Sequence, residues 1–211
     1  MSCAGCEDCT LSAPPSDAIP YEIHITAGHG PWDQFFDAVK SAGAKAVIIH
    51  NYIGPYPPVV CVDRLVSAKV AGTDRVAYDE MNRIQSALLG AGVDILRSKI
   101  ETAPWHPQAE RAGPDQYFEC HLEVDAVTPD GVAALFQAAK VAGVSLSANP
   151  NKGLTYMATY RRYNTSRRSF ECDLALIAST LTVSGFPPKR QIVEFTLFDS
   201  NVGHDARWMG A

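Results

Sequence analysis

One short pattern restricts this chain more than any other. Tyr21-Glu-Ile-His-Ile-Thr26 alternates apolar and polar side chains, and Phe118-Glu-Cys-His-Leu-Glu123 repeats the arrangement in the second half. Successive side chains of a strand point to opposite faces. Glu22, His24 and Thr26 therefore share one face and Ile23 and Ile25 the other; Glu119, His121 and Glu123 face away from Phe118, Cys120 and Leu122. Such a strand fits only where apolar core lies on one side and a polar space on the other. Each copy reads as the first strand of a module, with its polar face turned toward a common cleft.

The rest of the chain supports a repeat. After the strand at 21–27, a helix is expected over 32–42, stopped by Gly43, then a buried strand at 46–49 and a Pro/Gly-rich loop over 51–58. A third strand falls within 59–70. Thr73 is placed to cap a helix over 74–89, with Val76, Met81, Ile84 and Leu88 as its apolar stripe, and a fourth strand follows at 94–102. The order then recurs: strand 117–124, helix 131–142 ended by Gly143, strands 145–148 and 154–163, a helix from the Ser166 cap to position 183, and strand 191–198. Ala38-x-Lys40-x-Ala42-Gly43 returns as Ala138-x-Lys140-x-Ala142-Gly143, and Arg97-x3-Glu101 as Arg190-x3-Glu194. The shared order and a near-constant offset of roughly a hundred residues point to internal duplication. The expected fold is α+β: two tandem ferredoxin-like βαββαβ modules whose open sheet faces form a shared cleft. The boundaries read as a Cys/Pro-rich tail over 1–19, modules at 20–103 and 116–200 joined by a linker at 104–115, and a C-terminal tail at 201–211. His204 and Asp205 fall in that tail, read as surface, with closure over the cleft as the alternative.

Composition narrows the class of function. The chain is 46% hydrophobic and 19% charged, enough apolar material for a core. A net charge of −5 disfavours nucleic acid, whose phosphates need clustered cations. No apolar run approaches the ~20 residues of a membrane helix, and the N-terminus lacks the basic and apolar regions of a secretory signal. A cytoplasmic setting is the expectation. Cys61, Cys120 and Cys172 fall inside predicted elements and read as buried packing. Cys3, Cys6 and Cys9 form a C-x2-C-x2-C pattern, read as part of a disordered tail or, alternatively, as ligands of a second metal (zinc or an iron–sulfur cluster) or as redox thiols.

Alternation on the fourth strands places Arg97, Lys99 and Glu101, and in the second module Arg190 and Glu194, on the same open faces, with Thr155, Thr159 and Arg161 joining from a third strand. Burying so many ionisable groups without a function would be costly. Imidazole and carboxylate suit a divalent zinc, iron, nickel or manganese ion, which His24, Glu101, His121 and Glu194 could hold. Glu22 or Glu119 would act as general base or steady the adjacent His, and Thr26, Arg97, Lys99 and Arg161 would bind an anionic substrate.

One His from each first strand and one Glu from each last strand resembles the layout of vicinal-oxygen-chelate enzymes. That resemblance implies two repeated modules around one metal and an isomerase, lyase or ring-cleaving dioxygenase acting on a small oxygen-rich molecule. The chain departs from that family by placing a second helix before each last strand. His24-Ile-Thr26 also resembles the His-x-Thr/Ser motif of two-histidine phosphoesterases, which implies metal-free hydrolysis by paired histidines, although Glu123 stands at the second hydroxyl position. A third reading is a non-catalytic protein that binds a small molecule in the cleft. The modules would pair either within one chain or across a homodimer.

Overall fold

In the computed structural model, residues 18–207 are described. The order of elements is β1 (Ile19–Ala27), α1 (Trp32–Ser41), β2 (Lys45–Ile53), β3 (Val59–Gly72), α2 (Asp74–Gly90), β4 (Ile95–Thr102), β5 (Tyr117–Asp125), α3 (Pro129–Ala142), β6 (Ser145–Ala148), β7 (Thr155–Tyr163), α4 (Arg167–Val183) and β8 (Arg190–Asp199), with short 3-10 turns at Pro150–Lys152 and His204–Arg207. Each half thus runs βαββαβ, and α2 and α4 do precede the last strand of each half.

Within each half the strands take the ferredoxin-like order, β4-β1-β3-β2 and β8-β5-β7-β6. The halves do not stack as two separate sheets. Their edges join: β4 pairs with β8 through Lys99↔Asp199 and Thr102↔Phe195, and β2 pairs with β6 through His50↔Ala148 and Tyr52↔Leu146. The result is a closed, fully antiparallel eight-stranded barrel. The expected open faces become its lumen, and the helices cover the outside. Eight strands leave an interior that side chains fill or that holds one small ligand.

Alternation explains why the sheet curls this way. Ile23, Ile25, Phe118, Cys120, Leu122 and Phe195 are fully buried on the helix side, while their neighbours in sequence turn inward. Helix α1 buries Phe35, Ala38 and Val39, and Gly43 ends it at φ 68°, a left-handed geometry that suits glycine. On α2 the buried stripe is Ala77, Met81, Ile84 and Leu88; the expected Val76 is exposed, one position off the buried face. Thr73 stands at the N-cap without a side-chain cap bond, whereas Thr128 and Ser166 do accept from the backbone amides of Gly131 and Ser169. Helix α3 starts two residues earlier than expected because Pro129 occupies its first turn, where its missing N–H costs nothing.

Three local expectations differ. Strand β2 continues to Ile53 through residues read as loop, because Asn51 and Tyr52 pair with Cys61 and Val60 of β3. Segment 104–115 is tied to both halves: His106, Ala109 and Ala112 are buried, His106 Nε2 lies 3.0 Å from Asp74 Oδ1, and the Ala112 amide donates to the Thr165 carbonyl at 2.9 Å. Cys120 is buried as expected, but Cys172 is exposed on the outer side of α4 and Cys61 is only half-buried. Cys3, Cys6 and Cys9 lie outside the described residues. Among the described residues, no helix is long and apolar enough to cross a membrane.

Candidate active site in the barrel lumen

The lumen holds a cavity of about 430 Å3. The sequence-predicted residues Glu22, His24, Thr26, Arg97, Lys99, Glu119, His121, Arg161 and Glu194 all line it. Glu101 lies just behind, fully buried against His24 and Lys99. Glu123 does not line the cavity; its carboxylate sits 3.9 Å from Arg190 near one mouth.

The charges form a continuous network across both halves. His24 is held between two carboxylates, with Nε2 3.0 Å from Glu22 Oε1 and Nδ1 3.1 Å from Glu101 Oε2. Glu22 also accepts from Ser67 Oγ at 2.8 Å and meets Lys69 Nζ at 2.9 Å. Lys99 bridges the halves, pairing with Glu101 of β4 and, at 3.1 Å, with Glu119 of β5. Glu119 in turn pairs with Arg161, and its Oε1 lies 3.2 Å from His121 Nε2. The far end is closed by Tyr117, which shares a strand face with Glu119 and His121, and by Asp199 and Asp205, which alternation could not place. Arg97 donates to Asp199 at 2.9 Å and to Asp205 at 2.6 Å, and Asp205 also meets Arg161 at 2.8 Å. Tyr117 accepts from Arg97 and donates to Asp199, both at 2.8 Å, and its ring lies under the Arg161 guanidinium. Asp205 is therefore no surface residue: the segment after β8 folds back and plugs this end of the barrel.

The network sets proton affinities. Burial alone would lower the affinity of His24 for its proton, but Glu101 and Glu22 outweigh it and push the pKa up to about 9. Burial opposes the ionised forms of Glu22, Glu101 and Glu119, yet their cationic neighbours hold all three below the usual carboxylate range. His121 is raised by Glu119 and Glu194 against burial. Glu194 goes the other way. Burial, reinforced by the charge of Glu101, raises it to about 7. Its one partner at ion-pair distance among the described residues is His121, with Nε2 3.6 Å from Oε2.

The two expected His–Glu pairs, His24 with Glu101 and His121 with Glu194, thus each meet in one chamber. Among the described residues, no group of three or more His, Cys, Asp or Glu is arranged to hold a metal ion. Lys99 stands where a cation would otherwise neutralise Glu101 and Glu119. Both Glu101 oxygens are ion-paired, but neither accepts a hydrogen bond of good geometry. Arg97, Lys99 and Arg161, expected to hold an anionic substrate, spend their charge on carboxylates of the chain itself.

No family model matches the chain, and no curated protein does. Among solved structures, it is similar to the regulatory subunit of aspartate kinase from Thermus flavus at 13% identity, over 78% of this chain and 94% of that one, with a TM-score of 0.34. A dye-decolorizing protein from V. cholerae follows at 9% identity, over 86% and 94%, with a TM-score of 0.28. A heme-binding protein from Thermus thermophilus stands at 11% identity, over 85% and 92%, with a TM-score of 0.29. At these scores none bears on chemistry.

Proposed function

We propose that the barrel is the reaction chamber of an enzyme that moves protons on a small oxygen-bearing organic molecule, in the manner of an isomerase or lyase. Glu194 is the general acid–base, and His121 positions it and carries the complementary charge. The observation that supports this is the contrast between equivalent carboxylates of the two halves. Glu101 is paired with Lys99 and His24 and stays ionised, while Glu194 faces the cavity with no Lys or Arg of the described residues within ion-pair distance and titrates near neutrality. Two carboxylates driven apart in proton affinity by their surroundings mark the division of labour in acid–base sites. Glu22 and Glu119, given the base role on sequence grounds, accept from too many cations to take a proton near pH 7; they orient His24 and His121 instead.

The reading is tested by incubating the protein in D2O with a panel of small 2-oxo and 3-hydroxy acids and following deuterium incorporation by NMR. Exchange that vanishes in Glu194→Gln supports the assignment. Exchange that survives this substitution, or a Glu194 carboxyl that titrates near the usual glutamate value, overturns it. Two-histidine hydrolysis asks for one protonated imidazole as acid and one neutral imidazole as base; His24, held protonated to about pH 9, suits the acid, but His121 is pushed toward its protonated form as well, which disfavours the base.

A metal-dependent form of the same chemistry is the second reading. It is favoured by the meeting of both His–Glu pairs and by the Glu101 oxygens that accept no hydrogen bond. Two imidazoles and two carboxylates suit a divalent ion, which would supply Lewis-acid activation of a substrate oxygen, although it would have to displace Lys99. Elemental analysis of protein lacking residues 1–17 tests it: stoichiometric metal lost in His121→Ala supports the metal centre, and metal-free active protein rules it out.

A further inference from the structure

The lumen is not uniform, and its asymmetry indicates what enters. Strand directions put the start of β2, the end of β3, the start of β8 and the turn after β6 at one end of the barrel. That end carries Lys45, Lys69, Lys152 and Arg190, all lining the cavity. Glu22 and Glu123 offset Lys69 and Arg190. Lys45 and Lys152 are exposed and make no ion pair with the described residues. The opposite end is the one plugged by Asp205. The side wall is divided as well. The charged network lies on β5, β8, β4 and β1 together with Arg161 of β7, whereas the facing arc brings Val47 and Ile49 of β2, Leu65 of β3 and Met157 of β7 to the cavity, with Ser147, Thr155 and the bonded pair Asn51 and Asp63 as its polar members.

We infer that the chamber takes a small amphiphilic organic anion, with its acid group held at the mouth by Lys45 and Lys152 and its apolar body against Leu65, Val47, Ile49 and Met157 of the β3-β2-β6-β7 arc. This placement leaves the remaining edge of the molecule toward Glu194 and His121. The anion site is thus at the entrance, not at Arg97, Lys99 and Arg161, which the barrel neutralises internally. A cavity of about 430 Å3 lies in the size range of small-molecule sites, although this one carries more charge than their usual mainly apolar walls. The inference rests on the acid–base reading for the direction in which the substrate presents its reacting atoms, but the binding claim stands separately.

The test uses the full chain labelled with 13C-methyl methionine and three probes: phenylacetate, phenyl phosphate and the neutral methyl phenylacetate. Met157 reports on the lumen, and Met81, buried on the inner face of α2, is the internal control. Either anion should shift the Met157 methyl signal without moving Met81. The Lys45→Gln/Lys152→Gln double variant should weaken anion binding by roughly tenfold and leave the neutral ester unchanged. Which anion binds more tightly distinguishes a carboxylate from a phosphate substrate. Equal binding of the ester and the anions, unchanged affinity in the double variant, or a silent Met157 overturns the inference. Glu194→Gln separates the two claims. If it keeps anion binding and loses deuterium exchange, both hold; anion binding with unaffected exchange removes only the acid–base assignment; exchange without anion binding removes only the substrate class.

Discussion

Replacing Lys99 by methionine isolates what the internal charge network contributes. Lys99 is buried and bridges two buried carboxylates, Glu101 and Glu119, across the β4 and β5 strands. Methionine matches the length of the lysine stem, so the change removes charge with little change of volume. Stranding a buried ion by removing its partner costs about 3–5 kcal/mol. Each carboxylate keeps another partner, His24 for Glu101 and both Arg161 and His121 for Glu119, so the lower figure applies. At about 2–4 °C per kcal/mol for a chain of this size, a loss of about 3 kcal/mol lowers Tm by roughly 6–12 °C at pH 7. The control is Lys69→Met, which removes an equally close contact to Glu22 from a side chain 77% exposed, and should change stability by about 0–1 kcal/mol. The deficit of Lys99→Met should also shrink toward acid. Without the ammonium, burial raises the native pKa of the stranded carboxylates, so the variant recovers stability relative to the wild type as pH falls toward 4. Thermal melts by circular dichroism across pH 4–8 give both readouts. A Tm within a degree or two of wild type at pH 7, or a deficit that grows on acidification, would show that the lumen charges are solvated and that the network is not a buried one.

Three further outcomes follow from the same geometry. The proton on His24 is bound more tightly in the folded chain than in the unfolded one. Its contribution is fully present below the unfolded pKa of about 6.5 and is lost as pH rises through about 9, so denaturant unfolding should show a decline over that window that His24→Gln removes. Asp205→Asn leaves Arg97 and Arg161 short of an anion and loosens the plug; hydrogen exchange should speed up in residues 199–206 while the β1–β3 ladder is unchanged. The Glu194 carboxyl, followed by 13C NMR, should titrate near pH 7 and drop to a lower pKa in Glu101→Gln, since the charge of Glu101 helps raise it.

The lumen set was legible because strand alternation is a local rule. Glu22, His24, Glu119, His121, Arg97, Lys99 and Glu194 could be assigned to one side of their strands from near neighbours alone. Barrel closure was not legible, because the β2–β6 and β4–β8 pairings join residues about a hundred positions apart and leave no local mark. Asp199 was missed, and Asp205 read as surface in preference to closing the cleft, for a related reason. Asp199 ends a strand, and Asp205 sits in a 3-10 turn with neither period, so their sole signal was an acidic charge in a chain with buried arginines to satisfy. Nor did the pattern show that the expected substrate cations are consumed internally. Facing direction follows from sequence; the partner across the barrel does not.

The two seams bear on how the chain can be cut. Strands β2 and β4 are the borders of the first half, and each is fastened to a border of the second. A half expressed alone would present two bare rows of amides and carbonyls, together with a wet, charged face that no longer encloses anything. Bare borders of that kind recruit other strands. A fragment ending at position 103 would therefore self-associate, either into a ring of two such fragments or into aggregate, and reuniting separately made fragments should regenerate the ring in preference to both.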